Sequence, residues 1–590
     1  MRCLITTADE RSWRFDCPAL FLGEWCRRYD RKHIWSSMDA DVAAPYGLTE
    51  GQREKDYSRV VKLSDELLVE LADILNIHHG TNHSLRYWRI LLGHWLHRFI
   101  SVIFNRFHTL EKTLKENAVE CTSSFDEHFY SLVTQDSLEF IWAYGDDVWN
   151  NVLCSKILRF MRSEIRVETL DCLDVSGFEM RRANSPNLSL PSLKKKMANG
   201  VRNTLQAMCR KHDAFIINSG LPPTEHIKLQ LLLGQVPQMW YGGASWAGKV
   251  PSTDDLLRKR LTPDLSGNCG FDQCVRALLF DLLPICYLEG YQKLQDQVRQ
   301  LPWPSAPRFI FTVDSFDTDE VFKAWTGLRM EEGIPYYTGQ HGNNYGTHRY
   351  SYSETECVAT SDKFLTWGWT DGNAKHLPAF VLTTCGKMER KANSAGGLLL
   401  IELHAPGGGG IWDEYEEFQL YQEDQHSFVD KLPNDIQRYL TVRLHGAHKK
   451  LPWCDEQRWR DRNPEIELDD GSRPIGKLIE SSRLVVHSYD STGILETLSQ
   501  NIPTLCFWQG GLSHVRESAR SYYEALQRAG IIQSSAESAA RKIEEIWNDI
   551  PSWWASKEIQ SARRKFCGRY AVTTRTPAKS LKRILQEASN

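Results

Sequence analysis

No two of the 15 cysteines stand in a Cys-x-x-Cys spacing, which removes the zinc-ribbon pattern, and their odd number speaks against a closed disulfide framework. An unbroken apolar run long enough to span a bilayer is also lacking. The most hydrophobic stretch, Tyr87 to Phe107, is interrupted by Arg89, His94, His97, Arg98 and Arg106, and reads as an amphipathic helix packed in a domain interior. Neither sign of charge dominates, because the net charge is −4, so the basic surface that wholesale nucleic-acid binding requires is excluded. Glycine, proline and glutamine show no excess, and there is no internal repeat or low-complexity tract. The opening residues, Met1 to Glu10, have no apolar core of a secretory signal, so the expected location is the cytoplasm.

What remains is an ordinary globular composition, 41% hydrophobic and 25% charged, in a chain of 590 residues, too long for one ordinary core. Apolar residues recur three and four apart from Lys55 to about Lys115, and the sequence stays largely helical to about Gln300. Breaks fall at Asn184 to Pro191 and at Gly234 to Pro251. Short apolar runs precede and follow this helical region. Arg2 to Thr6 and Ala19 to Leu22 come first; Phe309 to Val313, Ile334 to Thr338 and Phe364 to Trp367 alternate with helices later, the mark of a parallel sheet covered on both faces. After a polar linker around Gly386 to Gly397 the rhythm restarts, with strands expected at Leu398 to Leu403, Tyr439 to Leu444, Leu484 to His487 and Thr504 to Trp508. The expected fold is therefore α/β, with two Rossmann-like domains. Residues 1–385 form the first, carrying a large helical insertion at about 55–300, and residues 386–590 form the second. The stretch from Ala536 onward is expected to be helical and to pack back across the domain junction.

The sharpest chemical feature is Arg483 to Leu498, a buried strand, a short polar loop and a helix entry. Ser491 is a natural N-cap, and the free amides of Thr492, Gly493 and Ile494 at the positive helix end favour a phosphate. Glu496, one turn on, can accept hydrogen bonds from ribose hydroxyls. Arg443 and His445, at the end of the strand Tyr439 to Leu444 with His448 and two lysines behind them, can neutralise a departing nucleotide phosphate. In the first domain, Gln340-His341-Gly342 follows a strand directly, and His341 can bind substrate or carry a proton, with Glu354 and Glu356 as alternative bases. Glu24, in Gly23-Glu24-Trp25 after an apolar strand, is a further candidate near the reacting sugar. Three weaker patterns are set aside: Asp39-Ala40-Asp41 lacks a metal-site context, His78, His79 and His83 lack a paired carboxylate, and Gly407 to Gly410 is not followed by Gly-Lys-Ser/Thr. No metal and no cofactor is expected.

Thr6-Thr7-Ala8, Leu20 to Cys26, Asn82 to Gly93, Gln340-His341-Gly342, Thr366 to Trp369 and the Ser491 to Glu496 helix entry together resemble a transferase family encoded in bacterial O-antigen and other surface-carbohydrate clusters, first catalogued in leptospiral loci. The match runs over almost the whole chain. More distantly, Gln340-His341-Gly342, Arg443-x-His445, Ser491-Thr492 and Glu496 resemble transferases that use CMP-activated keto-sugars (Kdo and nonulosonates) and CDP-glycerol glycerophosphotransferases. In those relatives a His-Pro pair holds the donor phosphate; here Gly446 follows His445, so the sugar is left open. The resemblance implies a glycosyltransferase of the GT-B type. It would transfer a sugar from a nucleotide-activated donor to a growing glycan, lipid-linked or free, without nucleic acid and with peripheral contact at the inner membrane face left open. A phospho-alditol transferase and a non-catalytic glycan-binding or assembly protein are the alternatives.

Overall fold

A computed structural model of the chain describes residues 2–127, 130–170, 205–206, 208–238, 240, 246, 253–263, 270–384, 393, 395–403, 407–450 and 453–588. The expected break at 184–191, most of that at 234–251, the 385/386 boundary and most of the linker at 386–397 lie outside these residues.

Three parallel sheets organise the described residues. The first contains β1 (Cys3–Ile5), β2 (Ala19–Phe21), β3 (Ala40–Val42), β4 (Cys121–Phe125) and β5 (Arg166–Leu170), in the order β3-β2-β1-β4-β5. The second contains β6 (Phe215–Ile216), β7 (Ile310–Thr312), β8 (Tyr336–Gly339), β9 (Lys363–Thr366) and β10 (His376–Pro378), in the order β10-β9-β8-β7-β6. The third contains β11 (Gly397–Ile401), β12 (Leu440–Arg443), β13 (Glu467–Asp469), β14 (Ser482–His487), β15 (Thr504–Phe507) and β16 (Ile532–Gln533). Its order, β13-β12-β11-β14-β15-β16, is that of the doubly wound dinucleotide-binding fold. The second and third sheets meet across a cleft, the two-Rossmann layout expected of GT-B. The first sheet is additional. Residues 55–300 are helix-rich as expected, yet they also supply β4, β5 and β6.

The interrupted apolar stretch forms part of the helix Leu85–Glu116, started by Ser84, whose hydroxyl accepts from the Tyr87 amide. Gly80, at φ 64°, ends the preceding helix Glu50–His79 in the left-handed conformation that glycine adopts without strain. The long helix is buried on most sides, between Glu50–His79, Asp147–Phe160, Glu320–Glu331 and Tyr352–Thr360. Two of its charged interruptions are matched inside: Arg98 to Asp317 at 2.6 Å, Arg89 to Glu356 at 3.1 Å. No helix among the described residues is long and apolar enough to cross a membrane. The terminal helices return as expected. The Val572 amide donates to the Trp367 carbonyl, and Leu581 and Leu585 of the helix Pro577–Ala588, which packs on the helix Pro223–Leu232, belong to one buried cluster with Leu229, Val313 and Tyr337 beside the second sheet.

Candidate active site

In the third sheet the chain leaves β11 toward β12 on one side and returns as β14 on the other, so the crevice beyond the carboxyl ends of β11 and β14 is the switch point where ligands bind in open α/β sheets. A cleft of about 980 Å³ lies there. Leu403 beyond β11 and Ser488 to Gly493 beyond β14 line one wall; His341, Gly342, Asn343 and His348 of the second-sheet half line the other.

Ser491 is the N-cap of the helix Thr492–Ser499, as the sequence predicts, but its hydroxyl does not cap the helix. It lies 3.2 Å from Nδ1 of His487, whose imidazole burial holds down at about 3 and therefore neutral. Among the described residues the helix amides thus carry no side-chain cap. A Cβ at Gly493 would come within 2.6 Å of the His487 ring, so glycine lets the helix start close over β14. Thr492 Oγ1 accepts from the Asn343 amide at 3.1 Å, and this bond, with Asn343 Nδ2 to Asp490 Oδ1 at 2.6 Å, ties the two walls together.

His341 is exposed to the cleft, and its Nδ1 lies 2.9 Å from the Val313 carbonyl. That contact assigns the proton to Nδ1 and leaves Nε2 as the acceptor in the neutral ring. The preceding Gln340 fixes the loop: its Oε1 accepts from the Trp367 amide and the Trp369 indole, both at 2.9 Å, and its Nε2 donates to the Gly342 carbonyl.

The other candidates are placed elsewhere. Arg443 ion-pairs with the buried Asp469, and His445 accepts from the Ala447 amide; neither lines the cleft around Ser491. The reason is strand order, since β11 stands between β12 and β14 and puts them about 10 Å apart. Glu496 accepts from Thr383 Oγ1 at 2.6 Å, one turn along the helix from the cleft. Glu356 is buried between helices, where burial pushes its carboxyl up to about 7 against the pull of Arg89. Glu354 binds the Gly346 amide at 2.7 Å and Arg516 at 2.9 Å, bracing the histidine loop against the third-sheet half. Glu24 lies beyond β2 and pairs with Arg27.

Sequence reasoning did not bring together His348, Asp490 and His514. Both imidazole Nε2 atoms stand 3.0 Å from Asp490 Oδ2. Burial alone would raise the Asp490 carboxyl, but hydrogen bonds and charge from the two histidines hold it well below the usual carboxylate range. The three ligand atoms lie within 4.8 Å of one another, close enough for a metal ion in principle; as hydrogen bonds they already satisfy the aspartate. Only the Asp490 position, one residue before the helix N-cap, carried a sequence signal.

No curated protein matches the chain. Among solved structures it is similar to the glycotransferase of kitacinnamycin, at 11% identity over 65% of this chain and 99% of that one, with a TM-score of 0.34. It is also similar to S. aureus MnaA in its UDP co-structure, at 13% identity over 51% and 83% with a TM-score of 0.31. Acinetobacter baumannii MurG is similar at 8% identity over 64% and 99%, again with a TM-score of 0.31. The LIC12162 family transferase profile matches residues 2–585, and with a match of that extent the chain belongs to this transferase family.

Proposed function

We propose that this transferase is a glycosyltransferase of bacterial surface-polysaccharide synthesis, moving a sugar from a nucleotide-activated donor to a glycan acceptor in the cleft between its second and third sheets. One observation carries the reading: an uncapped helix N-terminus at the switch point opens into a cleft of about 980 Å³, large enough for a nucleotide sugar. The donor phosphate sits at the amides of Thr492 and Gly493. As the bond from the anomeric carbon to the phosphate oxygen breaks, negative charge grows on that oxygen and the helix end stabilises it. The acceptor hydroxyl attacks the anomeric carbon from the opposite wall and gives its proton to Nε2 of His341. No step is assigned to a metal. A CMP-linked keto-sugar, Kdo or a nonulosonate, is the first donor to try, with UDP, GDP and dTDP sugars beside it.

The test is release of free nucleotide from each donor in the presence of glycan acceptors. Acceptor-dependent release from one donor class is expected. Release of CMP from CDP-glycerol alone would replace sugar transfer with phospho-alditol transfer, and no release from any donor would favour a glycan-binding role.

A further inference from the structure

The first sheet has its own switch point, between β1 and β4, and a second cavity opens there, away from the cleft. Its volume is about 60 Å³, room for a few water molecules or one small oxyanion and too little for a nucleotide. Thr7, at the end of β1, is 1% exposed and lines this cavity, and its Oγ1 has no hydrogen-bond partner among the described residues. Arg106 enters from the helix Leu85–Glu116. It is 9% exposed and bonded only to neutral oxygens: Asn105 Oδ1 at 2.7 Å, Asn150 Oδ1 at 2.9 Å and the Tyr144 carbonyl at 3.4 Å. No carboxylate pairs with it among the described residues, whereas neighbouring Arg28 already pairs with Asp147 and Asp30, each at 3.0 Å. Glu414 is near enough for its charge to act on Arg106 but makes no hydrogen bond to it, and Asp147, which also lines the cavity, is held by Arg28. A buried guanidinium bonded to no carboxylate is costly, and an anion in the cavity supplies the missing partner.

The third-sheet half closes the cavity with Tyr415, Trp453 and Gly407, the first glycine of a run whose spacing fits no nucleotide phosphate loop. Gly408, at φ 78°, brings its backbone so close that a Cβ there would meet Tyr415 Oη at 2.8 Å and Arg106 Nη2 at 3.3 Å. We infer that Thr7, Arg106 and the backbone at Gly407 and Gly408 form a second ligand site that binds a phosphate group, either inorganic phosphate or the end of a phosphomonoester. Because its walls come from the first and third sheets, the bound phosphate joins those two parts of the molecule.

Calorimetric titration of the full chain with inorganic phosphate, and separately with glucose 1-phosphate, at fixed ionic strength tests this. Wild type is expected to bind at least one of them at millimolar concentration, the monoester arm telling which source the site accepts. Thr7→Val removes a hydroxyl that supports nothing in the fold, and Arg106→Gln removes the charge; each should weaken binding about tenfold or more, the loss of one charge-assisted hydrogen bond. Gly493→Ala, which disturbs the phosphate position in the cleft, should spare the component of binding that Thr7→Val and Arg106→Gln remove. No binding by wild type, or binding lost in Gly493→Ala and kept in Thr7→Val and Arg106→Gln, overturns the inference.

Discussion

His341 and Gly493 carry the most specific demands on single residues. If Nε2 of His341 takes the acceptor proton, His341→Gln should lower turnover by about 10²–10⁴-fold and leave nucleotide affinity nearly unchanged. Steady-state kinetics separate the two quantities, and an equal loss of affinity would make the histidine a binding group. A methyl group at Gly493 collides with a buried ring, so Gly493→Ala should cost about 1–3 kcal/mol in urea unfolding and weaken nucleotide binding as the helix start shifts. The positions of Ser491 and Gly493 at a helix entry could be read from the sequence because they are local, set by a strand, a loop and a helix in succession; that the Ser491 hydroxyl turns to His487 instead of capping the helix could not. Arg443 could not be placed that way. Its partner Asp469 is 26 residues away on β13, and which strands flank β14 is decided by topology and not by composition.

Among the elements, the loop after β14 works as a junction. Asp490 holds Asn343 and His348 of one half and His514 of the other, and Asp490→Ala should cost about 1–3 kcal/mol at neutral pH by leaving the buried Asn343 amide and two partly exposed imidazoles without their partner. The carboxyl has a lowered folded pKa, so its contribution is complete above the ordinary aspartate value of about 4 and is lost as pH falls from there toward the folded value. The stability gap between wild type and variant in urea should therefore close in acid, and a gap independent of pH would contradict the assignment. Incubation with EDTA should leave transfer unaltered; loss reversed by a divalent cation would make His348, Asp490 and His514 a metal centre. Strands were legible where they were apolar, as at Phe309 to Val313 and Leu398 to Leu403. The element β4, with sequence Cys-Thr-Ser-Ser-Phe, was not. Its polar side chains are buried because they are bonded, as Thr122 Oγ1 is to the Leu4 carbonyl at 2.8 Å, and such partners are invisible until the sheet exists.

For the whole molecule, the two halves of the cleft are held by the returning C-terminal helices as well as by the Asp490 junction. Leu581 is fully buried in the cluster that joins the last helix to the second-sheet half, and Leu581→Ala should cost about 2–5 kcal/mol, read from urea unfolding. The two-sheet layout and the transferase family could be read from the sequence, since strand rhythm and family blocks run along the chain. The first sheet as a separate unit could not, because two long helices, of 30 and 32 residues, separate β3 from β4. The central claim is that the helix entry at Ser491 binds the phosphate of a nucleotide. Thermal unfolding with CMP, CDP, UDP, GDP and dTDP tests it most directly, since a ligand at about one hundred times its dissociation constant adds roughly 2.7 kcal/mol to the folded state. One nucleotide should raise the melting temperature, and Gly493→Ala should abolish the rise. No rise with any of the five at millimolar concentration, or a rise that survives in the variant, would contradict the account.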